Sequence, residues 1–316
     1  MKTKNKLLTL LILSSSAITT TTFINKLIQL EATKSKLSEK QTSHYYKWRL
    51  GDIHYTKLGS GKPILLIHDL SAASSIYEWN RLIPLLTKNY TVYAMDLLGC
   101  GSSEKINTTY TNYLFVQLIT DFIKSEIGHR TNIITTGESA SIPIMACSNN
   151  SEFFDQIMLI NPLSLSDYCQ IPGKSARLYK KIVELPVLGT LLYNIAVSKD
   201  SIIKELKENG FYNSYNIDSF LIDHYYEAAH LGLSPKSIYI SQICNYTKCN
   251  IINGLKKINN SIYIVGGQEI QNIISRLEEY KIYNPAVEIS LIPETKNLPQ
   301  LERPDYLSEL IKTYFC

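Results

Sequence analysis

From Ile64 to Ile160 short apolar runs alternate with longer stretches whose apolar residues recur at helical spacing. The runs are Ile64–Ile67, Thr91–Met95, Asn132–Thr135 and Gln156–Ile160. The helical stretches are Tyr77–Leu86, Tyr113–Ile127 and one beginning near Ala140. Strands so short and so uniformly apolar need cover on both faces, which predicts a mostly parallel sheet with helices on either side. Tyr46–Arg49 and Asp52–Lys57, flanking Gly51, read as an antiparallel hairpin ahead of it.

After Asn161-Pro162 the rhythm breaks. Residues 165–255 hold helical stretches such as Leu178–Leu185 and Asp218–Ala229 and no obvious buried strand. Strands resume at Ser261–Val265 and Val287–Ile292, and a helix from Asp305 closes the chain. The organisation expected is an α/β core over 45–164 and 256–316, with a helical lid over 165–255. A lid inserted there overhangs the carboxyl ends of the strands, where ligands bind in such sheets.

With 316 residues, 45% hydrophobic and 19% charged, the chain can bury a large core and is not disordered. Its net charge of +4 is scattered and forms no stripe, which argues against nucleic acid. Its six cysteines (Cys100, Cys147, Cys169, Cys244, Cys249, Cys316) make no C-x-x-C pair and no zinc pattern. They read as structural or incidental, with a disulfide as the alternative. No Walker loop, dinucleotide fingerprint or metal constellation appears, so no cofactor is expected.

Lys2, Lys4 and Lys6 precede an uncharged run from Leu7 to Asn25, apolar at its start and Ser/Thr-rich later. That run just reaches the length of a membrane span. Residues 1–28 read as an uncleaved anchor holding the globular domain on the outer face, and 29–44 as a tether. A cleaved signal peptide is the alternative.

The run I-I-T-T-G-E-S-A-S, Ile133–Ser141, sets Ser139 between a strand and a helix, as in a G-x-S-x-G turn that lifts a serine hydroxyl above a sheet. Three further motifs accompany it: I-L-L-I-H-D-L at 64–70, D-L-L-G-C-G-S-S at 96–103 and L-P-Q-L-E-R-P at 298–304. In this order they resemble the α/β-hydrolase superfamily, in its lidded branch of esterases, acyl hydrolases and epoxide-hydrolase-like proteins.

That resemblance implies an α/β-hydrolase fold with Ser139 as nucleophile and an oxyanion hole formed by the N–H groups of Leu70 and Ala140. It implies Glu269 as the acid, with Asp167 as a second candidate. Asp69 stands where the family has glycine, beside the point where negative charge must develop, and His68 reads as a brace for that loop. At the position of the family's histidine the chain has Asn297, and the final 86 residues contain no histidine. A serine hydroxyl needs a base within hydrogen-bond reach, and asparagine cannot accept its proton.

Three functions follow. One is an impaired serine hydrolase acting on ester or acyl substrates. Another is a membrane-tethered binding protein for a small apolar or acyl-type ligand or a partner. The third is an active hydrolase with an unorthodox base, such as Asp69, His68, His224 or His230.

Overall fold

A computed structural model of the chain describes residues 2–37 and 43–315, with side chains from Ser14 onward. Its eight strands are β1 (His44–Trp48), β2 (Gly51–Gly59), β3 (Lys62–Ile67), β4 (Tyr90–Met95), β5 (Thr131–Thr136), β6 (Phe154–Ile160), β7 (Ile262–Gly267) and β8 (Glu288–Ile292). They form one sheet in the order β1-β2-β4-β3-β5-β6-β7-β8. Only β2 runs against its neighbours; every other pairing is parallel.

The period of two along each strand divides the core. Leu65, Ile67, Tyr93, Met95, Ile133 and Leu159 face one layer of helices, among them Asn112–Phe122. Their neighbours Ile64, Leu66, Val92, Ala94, Ile134 and Ile160 face the other, with Trp79, Leu86 and Leu307. Each fully buried Ile or Leu contributes roughly 1.5–3 kcal/mol, so a sheet covered on both faces is the stable outcome for these strands. Because β4 and β5 lie on opposite sides of β3, the loops leaving β3 and β5 diverge and open a crevice between them.

Two helices differ from expectation. Tyr77–Leu86 is a 3₁₀ turn, Ile76–Trp79, followed by a separate short helix, Ile83–Leu86. Pro84 has no N–H to donate to the preceding turn, so a single helix cannot run through. The helix from Asn112 widens after Phe122 into a π turn, Ile123–Ile127, closed by Gly128 at φ 72°.

Between β6 and β7 the described chain is helical, as expected of the lid. The N-terminal helix, Lys2–Thr33, continues well into the expected tether. Its second half packs on lid helices Leu188–Ala196 and Ser219–His230. Asn25 Nδ2 donates to Val187 O at 3.1 Å, and Asn194 Nδ2 donates to Asn25 Oδ1 at 3.0 Å. The side chains of Leu7–Leu13, the apolar start of the expected anchor, and residues 38–42 of the tether lie outside the described residues. Among the described residues no single helix is long and apolar enough to cross a membrane. Cys100, Cys147, Cys169, Cys244 and Cys249 are free thiols, and Cys316 lies outside the described residues.

Asn161, at the end of β6 with φ 46°, ties three strand ends together. Its Oδ1 accepts from Gly267 N at 2.8 Å, and its Nδ2 donates to the carbonyls of Lys296 and Asn297 at 3.0 and 3.3 Å. Asn161→Ala strands these backbone groups and should cost about 2–4 kcal/mol. Urea unfolding checks this, and an unchanged midpoint would contradict the role.

Candidate functional site

The site forms where the strands end. β5 stops at Thr136 and the chain turns at Gly137, φ +59°, into a 3₁₀ turn, Gly137–Ala140, and the helix Ser141–Asn149. That left-handed φ favours glycine, and space demands it as well. A Cβ on Gly137 would stand 2.3 Å from Asp69 Cγ. The carboxylate of Asp69, from the loop after β3, thus occupies the volume directly over the turn.

Asp69 Oδ1 accepts two backbone N–H groups, from Leu70 at 2.8 Å and Glu138 at 2.7 Å. Two donors converging on one oxygen constitute an anion hole, and here the chain's own carboxylate fills it. Burial raises the Asp69 pKa to about 6, although the N–H groups pull the other way.

Two more carboxyls crowd in. Glu78 Oε2 accepts from Asp69 N at 3.2 Å and its Oε1 from the Tyr225 hydroxyl at 3.2 Å. Burial, then the nearby Asp69 charge, pushes Glu78 up to about 8. Glu138 accepts from the Thr247 hydroxyl, and burial lifts it to about 7. Like charges this close and this dry resist simultaneous ionisation, so near neutral pH the cluster retains protons.

These groups open on a cleft of about 700 Å³ beneath the lid. Glu205, Lys248, Arg276 and Asn297 also line it. Arg276 buries its Nε and Nη2 with no hydrogen-bond acceptor. Among the described residues no group of three or more His, Cys, Asp or Glu is placed to hold a metal ion.

The structure redistributes the candidates read from the sequence. Ser139 is fully buried, does not line the cleft, and donates its hydroxyl to Thr136 O at 2.7 Å. The turn follows Thr136 directly, so the residue presented to the cleft is Gly137, two positions earlier than expected. For the same reason the second donor of the anion hole is Glu138 N, and Ala140 is buried in the 3₁₀ turn. Leu70 N is the other donor to the Asp69 carboxylate.

Asn297 lines the cleft on the loop after β8. Glu269 is exposed and absent from the lining. Asp167 is held by Ser164 at 2.7 Å and Gln170 at 3.0 Å in a local turn outside the cleft.

None of the candidate histidines reaches the cleft. His68 is fully buried and accepts Leu97 N at Nε2 (3.1 Å), so its Nδ1 donates to Asp69 O at 2.7 Å. It braces the loop that aims Asp69. His224 bonds Phe220 O at 2.9 Å and stacks on Tyr77 at 3.6 Å. His230 bonds Tyr226 O at 2.8 Å and faces the N-terminal helix. Burial lowers the pKa of all three.

Glu78, Glu138, Glu205 and Arg276 join the site without being expected there from the sequence. Glu78 carried a signal, being a lone acid in the otherwise apolar Ile76–Trp79 turn.

The model of the Alpha/beta hydrolase family matches residues 64–186. The 2-hydroxy-6-oxo-6-(2'-aminophenyl)hexa-2,4-dienoic acid hydrolase of Metapseudomonas resinovorans is 29% identical over 136 residues, 41% of this chain and 47% of that protein. The soluble epoxide hydrolase of Corynebacterium sp. (strain C12) is 28% identical over 110 residues, 34% of this chain and 37% of that one. The alignments thus span less than half the length of these relatives. A solved serine hydrolase involved in carbazole degradation superposes with a TM-score of 0.69 at 18% identity, covering 87% of this chain and 98% of that one. The chain has the α/β-hydrolase fold, and its sequence relatives include proteins named as hydrolases.

The carboxyl cluster makes a pH prediction. Raised folded-state values mean that the folded protein holds protons which the unfolded chain, titrating near 4, has already released. Between about pH 7 and 7.5 the unfolded histidines are mostly neutral and Lys105, which burial lowers to about 8, still holds most of its proton, so Glu78 and Glu138 dominate this term, and stability falls as pH rises through that window. Thermal unfolding should show that fall, and Glu78→Gln should flatten it. Equal slopes for the two proteins would contradict the cluster.

Proposed function

We propose that this chain is a non-catalytic α/β-hydrolase-fold protein whose cleft binds a small polar ligand. One observation carries the reading. The two N–H groups that would stabilise a developing oxyanion are already taken by Asp69, whose carboxylate sits over a glycine. Asn297 at the loop after β8 supports it further, because an amide has no basicity to activate a hydroxyl or water. Four carboxyl side chains lining the cleft favour a ligand with a cationic or hydrogen-bond-donating group over an apolar one.

The wild-type protein should escape labelling by a fluorophosphonate and should hydrolyse p-nitrophenyl acetate no faster than buffer with carrier protein. Asp69→Gly combined with Gly137→Ser and Asn297→His should become labelled at position 137. Its ester hydrolysis should rise by roughly 10²-fold or more. Labelling of wild-type Ser139 would overturn the reading.

A second reading draws on the same carboxylate. Because Asp69 fills the space that a side chain on residue 137 would take, its free oxygen is positioned to attack an electrophilic carbon. The bond to the leaving oxygen breaks, and the neutral carboxyl of Glu78 supplies the proton. Water then cleaves the aspartyl ester, releasing the alcohol, restoring the Asp69 carboxylate and returning a proton to Glu78. Turnover in [¹⁸O]water separates the two: label entering the Asp69 carboxylate selects the nucleophile, and an unlabelled Asp69 selects the binding protein.

A further inference from the structure

The lid carries a second feature that the cleft does not explain. The helix Ala176–Glu184 ends at Leu185-Pro186, and Leu188–Ala196 follows. Leu178 (59%), Leu188 (59%) and Ile195 (60%) are exposed. Leu188, Leu192 and Ile195 recur at i, i+4 and i+7 and so form one stripe. The opposite side of the same helix buries Tyr193 and Asn194.

The N-terminal helix packs against Leu188–Ala196 and shows the same division. It buries Asn25 and Ala32 and exposes Phe23, Leu27 and Leu30, again at i, i+4 and i+7. Ser14–Thr20 are exposed all round, so the helix leaves the domain from this face, toward the apolar residues Leu7–Leu13 of the sequence. Two neighbouring elements thus present unpartnered apolar stripes.

Charge indicates what covers them. Residues 171–198 contain Lys174, Arg177, Lys180 and Lys181 against the single acid Glu184. Lys174, Arg177 and Lys181 are exposed, whereas Lys180 pairs with Glu184 at 2.6 Å. Exposed apolar stripes fringed by cations match the interface of an anionic bilayer, with acyl chains beneath and phosphates above. Ala176–Glu184 and Leu188–Gly210 together have the length and apolar composition of a span but meet at 102°. That bend suits elements lying along a surface.

We propose that the lid elbow Ala176–Ala196 and the outer face of the N-terminal helix form one docking surface for an anionic phospholipid bilayer. The surface sets the molecule down on its lid and is independent of whether the cleft performs chemistry.

The test uses the full-length chain with vesicles of phosphatidylcholine alone or with about one-third phosphatidylglycerol, read by sedimentation and by amide hydrogen exchange. The protein should partition at least tenfold better onto the anionic vesicles, and exchange in 176–196 should slow severalfold on them. Leu178→Glu, Leu188→Glu and Ile195→Glu combined, all at exposed positions, should keep the wild-type Tm and lose that partitioning at least tenfold. Wild-type partitioning by this variant, or lipid protection confined to the N-terminal helix, overturns the proposal. A lipid-free dimer that the variant dissociates overturns it too, because a second copy then covers the face.

Discussion

The carboxylate of Asp69 on the N–H groups of Leu70 and Glu138 governs the architecture of this site. It joins the loops that leave β3 and β5, the two strands whose divergence creates the crevice. A charge-assisted bond of this kind is worth about 1.5–3 kcal/mol, and Asp69 makes two. The surroundings conform to it. Gly137 is glycine because of its positive φ and because Asp69 occupies the space above it. His68 spends both ring nitrogens on holding the loop, and Glu78 caps the Asp69 N–H from behind.

This arrangement inverts the usual use of such a hole. Where two aligned N–H groups face an empty pocket, an incoming substrate supplies the negative charge. Here the charge is built in, and the cost of burying it appears in the raised values of Asp69, Glu78 and Glu138. A site spending its electrostatics on its own carboxylate has less to offer a transition state. It retains a polar, lidded cleft that Arg276 and Lys248 also line, which is a recognition surface. This is the ground on which we propose binding over catalysis.

Much of the fold was legible in the sequence. Ile64–Ile67 and Ile157–Ile160 are buried on both faces and flanked by helical spacing, so a covered parallel strand accommodates them. The lid was legible as loss of that rhythm. The site was less legible for a geometric reason. G-E-S-A-S imitates the expected pentapeptide, and nothing local distinguishes a strand ending at Thr136 from one ending two residues later. The register of β5 against β3 and β6 decides it, and that register is set by long-range pairing. Glu78 and Arg276 reach the cleft from β-strand-distant elements, a turn before β4 and a helix after β7, and no local spacing announces such convergence. Asp69 was conspicuous as an acid where glycine was expected; that it fills the hole itself follows from how the loops after β3 and β5 converge, which no local pattern announces.

Asp69 is bound, as a carboxylate, by these two particular amides. An NMR titration of the Asp69 carboxyl carbon together with the Leu70 and Glu138 amide protons tests it directly. The three signals should move together with a midpoint near 6, the amides downfield as the carboxylate forms. Amides that stay still while Asp69 titrates, or an Asp69 midpoint at the ordinary value near 4, would show that the carboxylate does not occupy the hole.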